Sequence, residues 1–160
     1  MYFSFSKETD LEIDRVLNVS PMAIWRCWSE PDLLQKWFCP KPALAEEARI
    51  NPTPGGEFYT RLRSPNGNIV ETSGCVLAAS PARLMVISDR LSPGFHPRRS
   101  GFLTTVIMLS AEVVGTRYIA RALHPTPDQK KKHDDMGFHH GWGTGLTHLG
   151  ELAPQLDRGG

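Results

Sequence analysis

With 160 residues, 18 basic and 17 acidic side chains and a formal net charge of +1, the chain has the length of one domain, residues 1–160. It shows no electrostatic footprint for nucleic acid, which takes the form of a basic patch or stripe. Three cysteines, Cys27, Cys39 and Cys75, are odd in number and lack C-x-x-C spacing, so free buried thiols in a reducing cytoplasm are expected rather than a disulfide framework or a nucleophile.

The first residues, MYFSFSKETD, lack the basic and long apolar regions of a signal peptide. No apolar run reaches the ~20 residues needed to span a bilayer, so no membrane partner is expected. LEIDRVLNVS alternates apolar and polar residues and predicts a strand. Ser20-Pro21 is a helix start, because the hydroxyl can cap free amides and proline is preset for the first turn. Ile24, Trp25 and Trp28 follow at helical spacing. Pro31 breaks that helix and opens a second, with Leu33, Leu34, Trp37 and Phe38.

From Ala43 to Leu123 the pattern is β. Pro52, the Asn66-Gly67 turn, Pro81, the SPGFHPRRSG loop and Val114-Gly115 punctuate five or six strands at hairpin spacing. The sheet is therefore expected to be largely antiparallel. Pro125 and Pro127 close this region. Trp142, Leu146, Leu149, Ala153 and Leu156 then make one apolar stripe on a helix of about 18–20 residues. The simplest packing lays that helix across the concave face of the sheet, giving an α+β two-layer domain.

Four of the six histidines, His133, His139, His140 and His148, lie between Lys130 and Leu156. Adjacent His139 and His140 point about 100° apart on a helix, and His140 and His148 are ~12 Å apart along it. Neither pair has the i, i+3 or i, i+4 spacing of a helical metal pair. His133 with Asp134 or Asp135 is the remaining combination, and nothing specifies it, so no metal is expected. Lys130 to Lys132, followed by His133 and two aspartates, reads as a solvated turn. A cationic histidine is disfavoured at a helix N-terminus, so His139 and His140 are expected to be neutral, with one near a pocket mouth.

No G-x-S-x-G elbow is present, so no catalytic triad is expected. General acid or base chemistry would draw on Glu57, Glu71, Asp89, Arg61, Tyr118 or His140 inside an apolar pocket. However, alternation places Phe58, Thr60 and Leu62 toward the helix and Glu57, Tyr59, Arg61 and Arg63 toward solvent. That weakens the enzymatic reading, and no catalytic residue is assigned.

Four segments carry a resemblance: VLNVSPMAIWRCWSEPDLLQKWFCP (Val16 to Pro40), PGGEFYTRLRSPNGN (Pro54 to Asn68), GCVLAASPARLMVIS (Gly74 to Ser88) and HHGWGTGLTHLGELAPQL (His139 to Leu156). In this order they resemble the START-like, helix-grip (SRPBCC) superfamily, in the branch of homologues of the activator of the ninety-kilodalton heat-shock protein's ATPase. The resemblance covers nearly the whole chain. It implies a curved antiparallel sheet wrapped around a long C-terminal helix, with two short helices after the first strand. It also implies noncovalent binding of a small hydrophobic or amphipathic molecule between sheet and helix, without a cofactor. Alternatives are acid/base catalysis in the same cavity, or a chaperone-associated role like that of the branch's founding co-chaperone.

Under this resemblance Trp37, Phe38, Phe58, Val86, Met108, Trp142 and Leu146 line the cavity. Thr60, Tyr118 and His140, with Ser88, supply polar groups. Gly141 and Gly145, one turn apart, leave a groove beside Trp142. Gly143 and Gly145 depart from the helix formers expected there, and the loop from Ser92 to Ser100 is unusually rich in Pro and Arg. Apolar residues in FCPKPALA or SPGFHP are candidates for a partner or homodimer surface.

Overall fold

In the computed structural model, residues 3–39 and 42–159 are described. Strand β1 (Asp10–Leu17) leads to Ser20, whose Oγ accepts from the Ala23 amide at 3.2 Å and caps α1 (Pro21–Ser29). Pro31 ends that helix and starts α2 (Pro31–Trp37). β2 (Leu44–Ile50), β3 (Glu57–Arg63), β4 (Ile69–Ser80) and β5 (Leu84–Ser88) follow as successive antiparallel neighbours. The Pro- and Arg-rich loop folds as a small hairpin, β6 (Leu91–Ser92) and β7 (His96–Pro97), outside the main sheet. β8 (Thr104–Ala111) and β9 (Thr116–Leu123) then complete a seven-stranded antiparallel sheet of order β1-β9-β8-β5-β4-β3-β2.

This order puts β1 and β2 at opposite edges, so α1 and α2 must carry the chain from one side of the sheet to the other. Irregular registers at Ala45/Glu47 and Val76/Ala78 help the sheet curve. The main core lies on the helix-facing side. A smaller apolar cluster, Ala78, Val86 and Val106 with Met108 at its edge, lies apart from it.

Two C-terminal helices follow the sheet. The lysine run is a helix, α3 (Pro127–Asp135), where a solvated turn was expected. Thr126 caps it by accepting from the Gln129 amide at 3.2 Å, and Pro127 occupies its first turn. This is the start signal of Ser20-Pro21 used a second time. Helix α4 (Phe138–Gly159) runs 22 residues, longer than predicted. Of its apolar stripe, Leu146, Leu149 and Ala153 are buried and Trp142 and Leu156 partly so. Asp157 near its end accepts from the Ser20 amide at 2.9 Å and from Ser20 Oγ at 2.6 Å, tying α4 to the start of α1. No helix among the described residues is long and apolar enough to cross a membrane.

His133 is buried on α3 rather than exposed in a turn. Its Nδ1 lies 2.8 Å from Nε2 of His124, and His124 Nδ1 lies 2.8 Å from the Thr9 carbonyl. A carbonyl only accepts, so His124 Nδ1 carries hydrogen and its Nε2 is free to accept from His133. The pair packs against Phe102, with His133 4.8 Å from that ring and 5.2 Å from Phe138. It thereby fixes α3 and the first turn of α4 against the end of β9. Burial, and next the neighbouring His124, push the His133 pKa down to about 4.

Gly115 in the β8–β9 turn has φ +88°, and a Cβ there would sit 2.0 Å from the Leu17 carbonyl oxygen. Gly115→Ala should therefore lower unfolding free energy by more than about 1 kcal/mol, read by urea denaturation. A second expectation concerns pH. Between about pH 6.5 and 4 the unfolded chain binds a proton that folded His133 refuses. Stability should be full above this window and decline by roughly 2 kcal/mol on acidification through it, allowing for solvent screening. Asp14, Glu46 and Asp157 have lowered pKa values, so their contributions fade only at lower pH. His133→Asn, whose amide can stand in for Nδ1, should flatten the limb between pH 6.5 and 4 in the same denaturation series.

Candidate functional site

Between the concave face of the sheet and α4 lies a cavity of about 360 Å³. Its wall is drawn from nearly every long element. β1 gives Ile13, α1 gives Trp28, and α2 with the residue after it gives Trp37 and Phe38. β3 gives Phe58 and Leu62, and β4 gives Thr72 and Gly74. Ile87, Thr105, Tyr118 and Ala120 come from β5, β8 and β9. Asp89, Phe102 and Leu103 flank the hairpin, and Gly141, Trp142, Gly145 and Leu146 close the space from α4.

Four of the aromatic residues form one edge-to-face chain. Trp28 and Trp37 are 5.0 Å apart, Trp37 and Phe38 5.6 Å, and Phe38 and Phe58 5.9 Å. Trp37 Nε1 donates to the Cys27 carbonyl at 2.8 Å, which locks α2 to α1. Trp28 Nε1 donates to Tyr118 Oη at 3.3 Å, which locks α1 to β9. Burial pushes the Tyr118 hydroxyl far above its ordinary pKa, so it stays protonated and keeps a hydrogen to donate. Burial likewise raises the Cys27 thiol to about 12, which makes it unreactive.

Asp89 has a structural and an open side. Its Oδ1 accepts from the amides of Phe102 at 2.7 Å and Leu103 at 3.0 Å, fixing the residues whose side chains enter the wall. Its Oδ2 has no hydrogen-bond or ion-pair partner among the described residues. Thr72, Asp89 and Phe102 also border an adjoining polar pocket of about 290 Å³, with Glu71, Arg98 and Gly101.

Of the eleven residues expected at the cavity, Trp37, Phe38, Phe58, Tyr118, Trp142, Gly145 and Leu146 line it. Val86 and Met108 do not. They belong to the separate small cluster, while their strand neighbours Met85, Ile87 and Ile107 belong to the main core. Their strands are apolar on consecutive positions, so no period-two pattern marks the inner face. Thr60 shares a strand face with Phe58 and Leu62 but is covered before it reaches the wall, and its Oγ1 has no partner among the described residues. His140 is exposed on α4, as is His139. Ser88 is buried, bonded through Oγ to Thr104 Oγ1 at 2.9 Å.

Among the acid/base candidates, only Asp89 and Tyr118 reach the cavity. Glu57 pairs with Arg49 at 2.9 Å and Arg61 with Glu46 at 3.2 Å on the other face of β3. Sequence reasoning left Trp28 and Phe102 out of the wall, while the groove it placed at Gly141 and Gly145 does line it. Trp28 was legible as helical, but Phe102 follows an irregular loop that carries no periodic signal. No group of three or more His, Cys, Asp or Glu among the described residues is arranged to hold a metal. Of the two candidate partner segments, FCPKPALA includes Pro40 and Lys41, which lie outside the described residues. SPGFHP forms the β6–β7 hairpin, with Phe95 half exposed beside Gly55.

Residues 18–153 match the family described as Activator of Hsp90 ATPase homolog 1-like protein. A crystal structure of a Nitrosomonas europaea protein is 42% identical, with a TM-score of 0.92 over 96% of this chain and 99% of that one. One from Rhodobacter sphaeroides is 19% identical, with a TM-score of 0.82 over 96% and 97%. The solution structure of an AHSA1-like protein from Aeromonas hydrophila is 13% identical, with a TM-score of 0.72 over 92% and 94%. The latter two show the fold alone. No curated protein matches. The chain belongs to the Activator of Hsp90 ATPase homolog 1-like family, a branch of the START-like, helix-grip superfamily whose fold is of a ligand-binding type.

Proposed function

We propose that this protein binds a small hydrophobic or amphipathic molecule, noncovalently, in the cavity between the sheet and α4. The observation that carries the reading is the cavity itself. Its volume of about 360 Å³ falls in the range of small-molecule sites, which are mostly apolar with a few placed polar groups. The wall fits that description: aromatic rings and aliphatic side chains, with Tyr118, Thr72, Thr105 and Asp89 as polar groups. Two glycines on α4 supply the room. A Cβ on Gly141 would meet nothing within 4 Å, and one on Gly145 would only touch the Trp37 ring at 3.9 Å.

The family's description favours a second reading, association with an Hsp90-type chaperone. A change in that chaperone's ATPase rate on adding this protein would support it.

Gly141→Leu is the cleanest test of the binding reading, because the new side chain enters open space and leucine is the better helix former. Native mass spectrometry of the protein as purified should show a small-molecule adduct that denaturation removes. The Gly141→Leu protein should lack the adduct while melting at the same or a higher temperature. Bare protein in both samples, together with no rise in melting temperature across a panel of apolar amphiphiles, would overturn the reading.

A further inference from the structure

We infer that the molecule taken by this cavity is a cationic amphiphile, an apolar body bearing an ammonium group that meets Asp89. This rests on the binding reading above and adds the ligand's charge. Among the described residues of the wall Asp89 is the one carboxylate, and none of them is Lys, Arg or His. Its Oδ1 is held by the Phe102 and Leu103 amides, and its Oδ2 is left without a partner among the described residues. Arg98 borders the adjoining pocket, but its Nη1 donates to the Ser73 carbonyl at 2.6 Å and to the Asp89 main-chain carbonyl at 3.1 Å. No ion pair joins it to the Asp89 carboxylate.

The rest of the wall points the same way. Trp28, Trp37, Phe38, Phe58, Phe102 and Trp142 line the cavity, and an aromatic ring attracts a cation that reaches its face. The indole N–H groups of Trp28 and Trp37, which would otherwise greet an anion, already donate to Tyr118 Oη and to the Cys27 carbonyl. An anionic ligand would lie beside a like charge in a poorly solvated space, which the donors of the wall, the Tyr118, Thr72 and Thr105 hydroxyls and the Trp142 indole N–H, would have to offset.

The experiment is isothermal titration of the full chain with three probes that share one apolar body: 2-(1-naphthyl)ethylamine, 2-(1-naphthyl)ethanol and 1-naphthylacetate. The ammonium probe should bind about ten-fold or more tightly than the carboxylate, with the alcohol between them. Asp89→Asn keeps a carbonyl oxygen for the Phe102 and Leu103 amides but places a donor where Oδ2 was. It should weaken the ammonium probe by about ten-fold and the alcohol by no more than about two-fold. Equal affinity for all three probes, still lost in Gly141→Leu, would overturn the charge preference and leave the cavity reading standing. Binding of none of the three would overturn both. If Asp89→Asn fails to fold, the ranking of probes on the unsubstituted chain decides the question.

Discussion

The structure depends on a constraint of topology: β1 and β2 lie at opposite edges of one sheet, and only α1 and α2 connect them. Those helices must therefore cross the sheet, and they do so as a shelf of large rigid rings. Trp37 is bound to the α1 backbone through Cys27, and Trp28 is bound to the sheet through Tyr118. Helix α4 then packs against α1, α2, α3 and β1. A helix propped on indoles at the edge of a curved sheet cannot also settle into the middle of it. The cavity is the space left by that support, and its aromatic lining is the exposed side of the same shelf.

Keeping the space open has a cost that α4 carries. An interior glycine costs about 0.5–1 kcal/mol relative to alanine, and Gly141 and Gly145 both face the cavity. Burial of Leu146, Leu149 and Ala153 and the Asp157–Ser20 contacts offset it at the far end of the helix. The helix is thus anchored firmly over its second half and thinned over its first. At its start, α3 and the His124–His133 pair supply support that glycine-rich sequence does not. Helix composition is relaxed at Gly141 and Gly145 where the wall is built, and also at Gly143, Gly150 and Pro154 away from it, so glycine alone does not mark the site.

How far the sequence foretold this varies with the kind of signal. The strands, the first two helices and the C-terminal stripe were legible because proline, glycine and alternation mark each of them. Phe58 and Leu62 could be aimed inward because charged residues separate them along β3. Val86 and Met108 were misplaced because they stand in unbroken apolar runs, buried on both faces, where alternation is silent. The helix at Pro127 was missed although Thr126-Pro127 repeats the Ser20-Pro21 start signal, since charge composition outweighed capping chemistry in the reading. Gly143 meets only the tip of exposed Arg15, whose Nη2 would lie 3.1 Å from a Cβ there, and nothing in the structure requires glycine at this position. The His124–His133 pair joins residues on either side of a turn, and only the fold makes them partners.

The near-balance of charge in the sequence conceals how the charges are arranged. On the outer faces of the sheet, arginines and carboxylates pair across strands: Arg117 with Asp14, Arg121 with Glu12, Arg61 and Arg63 with Glu46, and Arg49 with Glu57. Such exposed pairs contribute little to stability, typically below about 1 kcal/mol each, but they leave few unmatched carboxylates on those strands. Asp89 breaks the pattern because its position is set by another need. It must hold the Phe102 and Leu103 amides to close the wall after an irregular hairpin, and a carboxylate that caps two amides through one oxygen turns its other oxygen elsewhere. The same contact that completes the apolar wall therefore places a carboxylate where the cavity meets the adjoining polar pocket, and an isosteric amide is the substitution that keeps an acceptor for both amides while removing the charge.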